Sequence, residues 1–130
     1  MNSVSSNAVY NATNPQAEQA FDWFITNTVT DVQVANHVWS GRVHQLNFSG
    51  TFKPDNTYIG NAIIGTIPSG LKPISASASF GVFLEFSIVT TENEALRGFV
   101  DNAGNILVFG KDKSPNTYVG FFFAELTWIH

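Results

Sequence analysis

The sequence predicts a mainly β protein, an antiparallel β-sandwich of jelly-roll type with a short helical segment at its N-terminus. Three observations lead to this prediction. Short runs of alternating apolar and polar residues recur along the chain, separated by turn residues. Polarity is carried by Ser, Thr and Asn, because only 12% of residues are charged. No helical pattern falls between the predicted strands, which argues against a parallel α/β sheet.

The composition limits the class of protein and its partners. The 130 residues fit one domain, and a hydrophobic fraction of 44% is enough for a core. Cysteine is absent, which excludes disulfides and thiolate metal sites. A formal net charge of −4 without a basic cluster makes nucleic acid an improbable partner. No apolar run reaches the roughly 18 residues of a membrane span, and the N-terminus lacks the cationic start of a signal peptide.

The first part of the chain, residues 1–27, has a helical pattern. Asn14-Pro15 is typical of a helix N-cap and first turn. Behind it, five apolar residues recur at helical spacing, namely Ala17, Ala20, Phe21, Phe24 and Ile25. Residues 4–12 show a shorter pattern of the same kind. Such short helices must pack on something. They either close the end of their own domain or meet the helices of two other chains in a stalk.

Residues 28–130 are predicted to form the β-sandwich head domain. Turn residues such as Ser40-Gly41, Pro68-Ser69-Gly70 and Asp101–Asn105 separate the apolar runs. Seven or eight short strands separated in this way are typical of sandwiches. The predicted strands begin near Val32 and continue over Val43–Phe52, Tyr58–Ile67, Ser75–Val89, Ala95–Val100, Ile106–Phe109 and Thr117–Ile129.

No pattern in the chain predicts catalysis or a cofactor. The three histidines lie outside any nucleophile elbow, and no glycine-rich phosphate loop opens a helix. Glycoside hydrolysis would need two paired carboxylates. Most acidic residues fall in predicted turns, but Glu85 and Glu125 fall in the middle of strands. Each is either an outward-facing strand residue, which the pattern favours, or a buried partner of Arg97.

One short region has the residue types of a binding site. His37 and His44 flank a predicted turn, so two antiparallel strands could bring them together. Because no third metal ligand is visible, we interpret them as surface or rim histidines rather than a metal site. Trp39 lies beside the same turn, and a tryptophan among polar groups suits a saccharide. His37, Trp39 and His44 are therefore the candidate ligand residues. Trp128 is expected in the core or in a subunit interface, and Trp23 is expected to anchor the helix.

The run Phe121-Phe122-Phe123 places large rings on both faces of one predicted strand. One face belongs to the core, so the other needs cover from a second surface, such as a neighbouring subunit. This run is the best physical indication of oligomerisation in the sequence.

Three segments, 2–12, 64–73 and 98–108, together resemble the C-terminal head domains of tail-fibre and receptor-binding proteins from phages of Gram-positive bacteria. The first is similar to an N-x-V-[ST]-S-N-A-V segment that precedes such heads, the second to an L-P-x-G-[YF]-[RK]-P turn, and the third to an I-x-x-D-G-x-[IV] hairpin. Two departures are Leu71, where an aromatic residue is usual, and Ala103-Gly104, which lengthen the hairpin.

The resemblance implies a homotrimer at the tip of a virion tail. It further implies helices that continue into a stalk, contacts to other tail proteins through the N-terminus, and recognition of host cell-wall saccharide. We expect binding without cleavage. The alternatives are a structural trimerisation module of the fibre or baseplate and, as a third class, a polysaccharide depolymerase.

Overall fold

The computed structural model describes residues 15–53, 61–74, 82–91, 96–110 and 120–130. Within these residues the chain forms eight strands and two short 3₁₀ turns, Phe21–Trp23 and Ser69–Leu71. The strands are β1 (Gln16–Gln19), β2 (Thr30–Ser40), β3 (Val43–Phe52), β4 (Asn61–Thr66), β5 (Val82–Thr90), β6 (Leu96–Asp101), β7 (Asn105–Gly110) and β8 (Phe121–Ile129). No helix among the described residues has the length and hydropathy needed to cross a membrane.

The eight strands belong to one antiparallel sheet in the order β1-β2-β3-β8-β5-β6-β7-β4. This sheet is strongly curled, and its two edges approach each other. Just after β1, Phe24 forms a bridge with Gly65 of β4, and the Ile25 N–H donates to the Ile64 carbonyl at 3.0 Å. The segment from β1 to Ile25 therefore closes the seam between β2 and β4. The predicted mainly β, antiparallel class is confirmed, and the described strands form a single curled sheet.

Strict alternation along the strands separates the inside of the curl from the outside. In β8, Phe122, Ala124, Leu126 and Trp128 are buried, whereas every residue between them is exposed. Strand β3 alternates in the same way, with Leu46 and Phe48 at its centre. The inner residues of the strands form one apolar cluster with residues of the seam, because a curled sheet turns one face of every strand towards the same interior. The core includes Ala20, Trp23, Val29, Ala35, Phe52, Ile64, Ile67, Phe86, Ile88, Leu96, Val100, Ile106 and Val108.

Gly98 makes room for an inner ring at the β5–β6 pairing. It lies directly opposite Phe86, and a Cβ added at Gly98 would overlap the Phe86 ring. Because Gly98 has no side chain, the Phe86 ring can fill the space over β6, which is a common use of glycine within a sheet.

The predicted N-terminal helix is wrong over its described part. Gln16–Gln19 form a strand paired with Asn36–Trp39 of β2, and a single 3₁₀ turn follows at Phe21–Trp23. The helical spacing of apolar residues was misleading, because Ala20 is buried but Phe21 and Ile25 are exposed. A helix of this length is marginal in isolation. Pairing with the long strand β2 therefore determines the conformation of residues 16–19. Gln16–Gln19 therefore belong to the same sheet as the strands that follow.

Most predicted strands are confirmed where they are described. Strand β3 spans Val43–Phe52, the predicted residues, and the turn before it contains Gly41 at a φ of 59°. The hairpin after β6 is also confirmed, with Gly104 at a φ of 85°. The predicted helical pattern at residues 4–12, the beginning of the 58–67 strand and the first half of the 75–89 strand lie outside the described residues.

Candidate functional site

The candidate ligand residues lie together at one end of the curled sheet. His37 and Trp39 are on β2, and His44 is on β3, just past the Gly41-Arg42 turn. In the strand register His37 faces Leu46 and Trp39 faces His44, so His37 and His44 are diagonal neighbours on the inner face. Diagonal partners are within reach of long or cyclic side chains. The predicted proximity of the two histidines is therefore confirmed.

The two histidines belong to a hydrogen-bonded chain that crosses four strands. Glu18 of β1 lies opposite His37, and its Oε1 is 3.0 Å from His37 Nδ1. His37 Nε2 is 2.7 Å from His44 Nδ1. His44 Nε2 is 2.5 Å from Nδ1 of His130, which follows the end of β8. We call Glu18, His37, His44 and His130 the histidine chain.

The carboxylate at one end sets the direction of the hydrogen bonds. An ionised Glu18 can only accept, so His37 must donate from Nδ1. In a neutral His37, Nε2 then accepts from the Nδ1–H of His44. By the same reasoning, Nε2 of a neutral His44 accepts from the Nδ1–H of His130. When the rings are neutral, all three therefore share the Nδ1–H tautomer, and Nε2 of His130 is left with a lone pair outside these three contacts.

Aromatic rings enclose the two central histidines. Trp39 stacks on His37 at a centroid distance of 4.5 Å, and Trp23 lies on it at 4.7 Å. Trp128 stacks on His44 at 5.3 Å. All three tryptophans of the chain thus gather at this end of the sheet. Trp128 is buried, as expected, and its Nε1–H donates to the Leu71 carbonyl at 2.7 Å.

This environment favours an uncharged His44. Burial and, to a lesser extent, the positive charges that His37 and His130 can carry together lower the pKa of His44 from 6.5 to about 4. Removing an imidazolium from water costs free energy, and a second positive ring nearby adds repulsion. His44 is therefore neutral at pH 7 and serves as a link between the two outer histidines.

The end of the histidine chain is tied to the β2–β3 turn. The His130 N–H donates to the Arg42 carbonyl at 3.0 Å, and Arg42 Nε donates back to the His130 carbonyl at 2.6 Å. At the opposite end, the Glu18 side chain is 49% exposed, whereas the His37 side chain is only 2% exposed. The chain thus runs from one partly exposed residue, through the interior, to another.

The interpretation of His37 and His44 as surface or rim residues is wrong, since each is only 1% exposed. Alternation places them on the inner face, and their four ring nitrogens are all occupied by the histidine chain. Direct contact of either ring with a saccharide would require this chain to open. Trp39 is only half-buried, so it is the candidate that a ligand can reach. Ligand binding at these residues stays a prediction.

The histidine chain does not have the geometry of a metal centre. Its nitrogens face each other in pairs along a line, whereas metal ligands converge on one point. Across the ranges that the structure describes, no group of three or more His, Asp or Glu side chains is arranged to hold a metal ion.

The two mid-strand carboxylates face outwards, as the pattern favoured. Glu85 is exposed and lies 3.4 Å from Arg97 Nε on the outer face of β5 and β6. Glu125 is exposed on β8 and accepts a hydrogen bond from Gln45 Nε2 at 2.6 Å. Each carboxylate is held by a neighbour on its own sheet face.

The phenylalanine run divides between the two faces, as predicted. Phe122 is buried, whereas Phe121 and Phe123 are 59% and 48% exposed. An open groove of 340 Å³ lies along these two rings and Val89 of β5. In the register, Val34, Ser49, Phe123 and Val89 form one row across β2, β3, β8 and β5. We call Val34, Val89, Phe121 and Phe123 the outer apolar patch.

The sequence did not indicate two members of the histidine chain. His130 approaches His44 only because β3 pairs with β8, where His44 faces Trp128. Glu18 approaches His37 only because β1 is a strand rather than a helix. Residues 16–19, Gln-Ala-Glu-Gln, have no polar–apolar alternation, so no local signal for a strand was present there.

A scan against protein-family models and searches of curated proteins and of solved structures find no match to this chain.

Proposed function

We propose that this chain is a non-catalytic receptor-binding head domain of a phage tail, which associates with further copies of itself and attaches to host cell-wall saccharide. The observation that carries the association is the outer apolar patch. The core of the curled sheet is filled by its inner residues, so the patch adds nothing to the core of its own chain. A second copy would remove Phe121 and Phe123 from water.

The shape of the patch supports a protein partner of the same kind. Val34, Phe123 and Val89 lie in one row with Ser49 across four neighbouring strands, so three of the four positions present apolar side chains on the same face. The groove also includes Gln33 and Thr91, whose polar groups suit the rim of an interface. Three copies meeting at this face form the homotrimer that the sequence resemblance implies. We also propose that the fold is jelly-roll-like, with two halves of the curled sheet facing each other across the core.

The saccharide is assigned to the end of the sheet where Trp39 lies. Its half-buried ring stacks on His37, which fixes the orientation of the indole. A fixed aromatic plane binds the C–H face of a sugar with little loss of side-chain entropy. Arg42 in the adjacent turn adds a polar group at the same end of the sheet.

Substitution of Trp39 tests saccharide binding. Binding of purified cell-wall polysaccharides from a panel of Gram-positive bacteria would be measured by calorimetry. We expect Trp39→Ala to weaken the affinity by about tenfold or more, equal to about 1.4 kcal/mol. Trp39→Phe is the matched control, since it keeps an aromatic plane and should retain most of the affinity. Equal affinities for wild type and Trp39→Ala, with both proteins folded, would remove saccharide binding from this end.

One observation favours a second function, a structural trimerisation module without a ligand. Two of the three candidate ligand residues, His37 and His44, are buried and fully hydrogen-bonded. In this case the oligomer would form through the outer apolar patch, and none of the polysaccharides in the panel would bind. The same calorimetry therefore separates the two functions.

A further inference from the structure

We propose that the histidine chain is an acid-sensitive latch on the seam of the curled sheet. It joins β1, the β2–β3 hairpin and the end of β8 through three hydrogen bonds. Strand β1 pairs with β2 over four residues, and the segment that follows it makes the bridge to β4. A loss of the contacts that keep β1 in place would therefore also weaken the closure between the two edges of the sheet.

Counting protons shows how the latch responds to acid. With three neutral rings, each of the three contacts contains one proton. A fourth proton can enter at Nε2 of His130, and all three contacts keep one proton while the charge moves along the chain. The Glu18 carboxylate stabilises this charge when it resides on His37. The latch therefore accepts a first proton without losing a hydrogen bond.

A further proton on the rings would break the latch. It would place two N–H groups in the gap between His37 and His44, or in the gap between His44 and His130. These gaps measure 2.7 and 2.5 Å, which leaves room for one proton each. Two positive rings would also repel each other in a buried site. The rings would then separate, and β1 and the end of β8 would lose the connection that the histidine rings make to the hairpin.

Among the described residues, no other titratable side chain enters the three hydrogen bonds of the histidine chain. Strand β1 contributes Glu18, β2 contributes His37, β3 contributes His44, and His130 follows β8. Arg42 from the turn bonds to the His130 carbonyl rather than to its ring. The 3₁₀ turn Phe21–Trp23 contributes the indole of Trp23. Acid therefore acts on the latch through these three rings and one carboxylate.

Hydrogen exchange followed by NMR tests the latch directly. The amides of Ala20 and Ile25 report on the seam and the amide of His130 reports on the end of β8, since they donate to Ala35, Ile64 and Arg42 respectively; we call these three the seam amides. Amides of β6 and β7 are the internal reference. After correction for intrinsic exchange, we expect the seam amides to lose at least about tenfold more protection than the reference between pH 7 and 4.5. If the seam amides and the amides of β6 and β7 lost protection equally, the protein would be unfolding globally, which would overturn the proposal.

Three variants sharpen this test. His44→Gln keeps a hydrogen-bonding side chain that does not titrate in this range and stands between the two remaining rings, so the ratio of seam to reference protection should depend much less on pH. An unchanged pH dependence in this variant would contradict the latch. Glu18→Gln should move the pH midpoint of opening upwards by a few tenths of a unit, because the first charge loses its counter-ion. Glu125→Gln, an exposed carboxylate outside the chain, should leave the midpoint unchanged, and equal midpoints in both variants would exclude Glu18 from the latch.

Discussion

At the scale of single residues, His44 shows how a strand's alternation places a titratable group inside an apolar core. Its ring is on the inner face because it lies two residues from Leu46, which is also buried. The surrounding indoles exclude water, and the two neighbouring histidines satisfy both of its nitrogens. The polar side chain is therefore tolerated as long as it stays neutral, in agreement with the general rule for buried polar groups.

This residue predicts a pH dependence of stability. The pKa of His44 falls from 6.5 in the unfolded chain to about 4 in the folded one. The folded state thus disfavours the protonated ring. Its contribution to stability is complete above pH 6.5, declines as the pH falls, and is lost below pH 4. The full loss amounts to up to about 3 kcal/mol.

Urea unfolding of wild type and His44→Gln at pH 7, 5.5 and 4 measures this contribution. Carboxylates also titrate over this pH range. The quantity to compare is therefore the difference in unfolding free energy between wild type and His44→Gln at each pH. We expect wild type to lose its advantage as the solution becomes more acidic. A difference that stays constant over this range would show that His44 titrates normally in the folded protein.

At the scale of elements, the β6–β7 hairpin depends on one side chain. Asp101 Oδ1 accepts hydrogen bonds from the N–H groups of Ala103 and Asn105, both at 2.9 Å. Its Oδ2 accepts from Asn105 Nδ2 at 3.0 Å. Gly104 completes the turn with a φ of 85°, which suits glycine. An aspartate that bonds to the backbone of its own turn is a frequent way to fix such loops.

We expect Asp101→Ala to destabilise the protein by about 1–2 kcal/mol, since the turn loses these bonds at a partly exposed site. Asn102→Ala, an exposed neighbour in the same turn, is the control and should change the stability by less than about 0.5 kcal/mol. Thermal unfolding of both variants provides the comparison. Similar melting temperatures for the two would show that the glycine alone determines the turn.

The same scale separates what the sequence could predict from what it could not. The β2–β3 hairpin was predictable because alternation and the Ser40-Gly41 turn are local signals. Strand β1 was not, because its residues have helical spacing and become a strand only through pairing with β2. The pairing of β3 with β8 joins distant parts of the chain, so no local pattern indicated that His130 would meet His44. The predictable part of the site was thus the hairpin that contributes His37, Trp39 and His44. The positions of Glu18 and His130 beside it were not predictable.

At the scale of the whole molecule, the curl of the sheet places aromatic residues on an inner and an outer face, where they have different roles. The inner rings fill the core, and the tryptophans at one end enclose the histidine chain. The outer apolar patch lies on the convex face and does not take part in the core. Apolar surface of this kind is typical of subunit interfaces. Association of identical chains is therefore the central claim of the proposed function.

The most direct test of this claim is the solution mass, measured by light scattering on a size-exclusion column. We predict a trimer for the wild type, dissociation in Phe123→Ser, and an unchanged trimer in Thr127→Ser, a control on the same exposed face of β8. A trimer with this pattern of variants would establish that the outer apolar patch joins the subunits. A wild-type monomer at micromolar concentrations would contradict the account and leave the patch without its proposed partner.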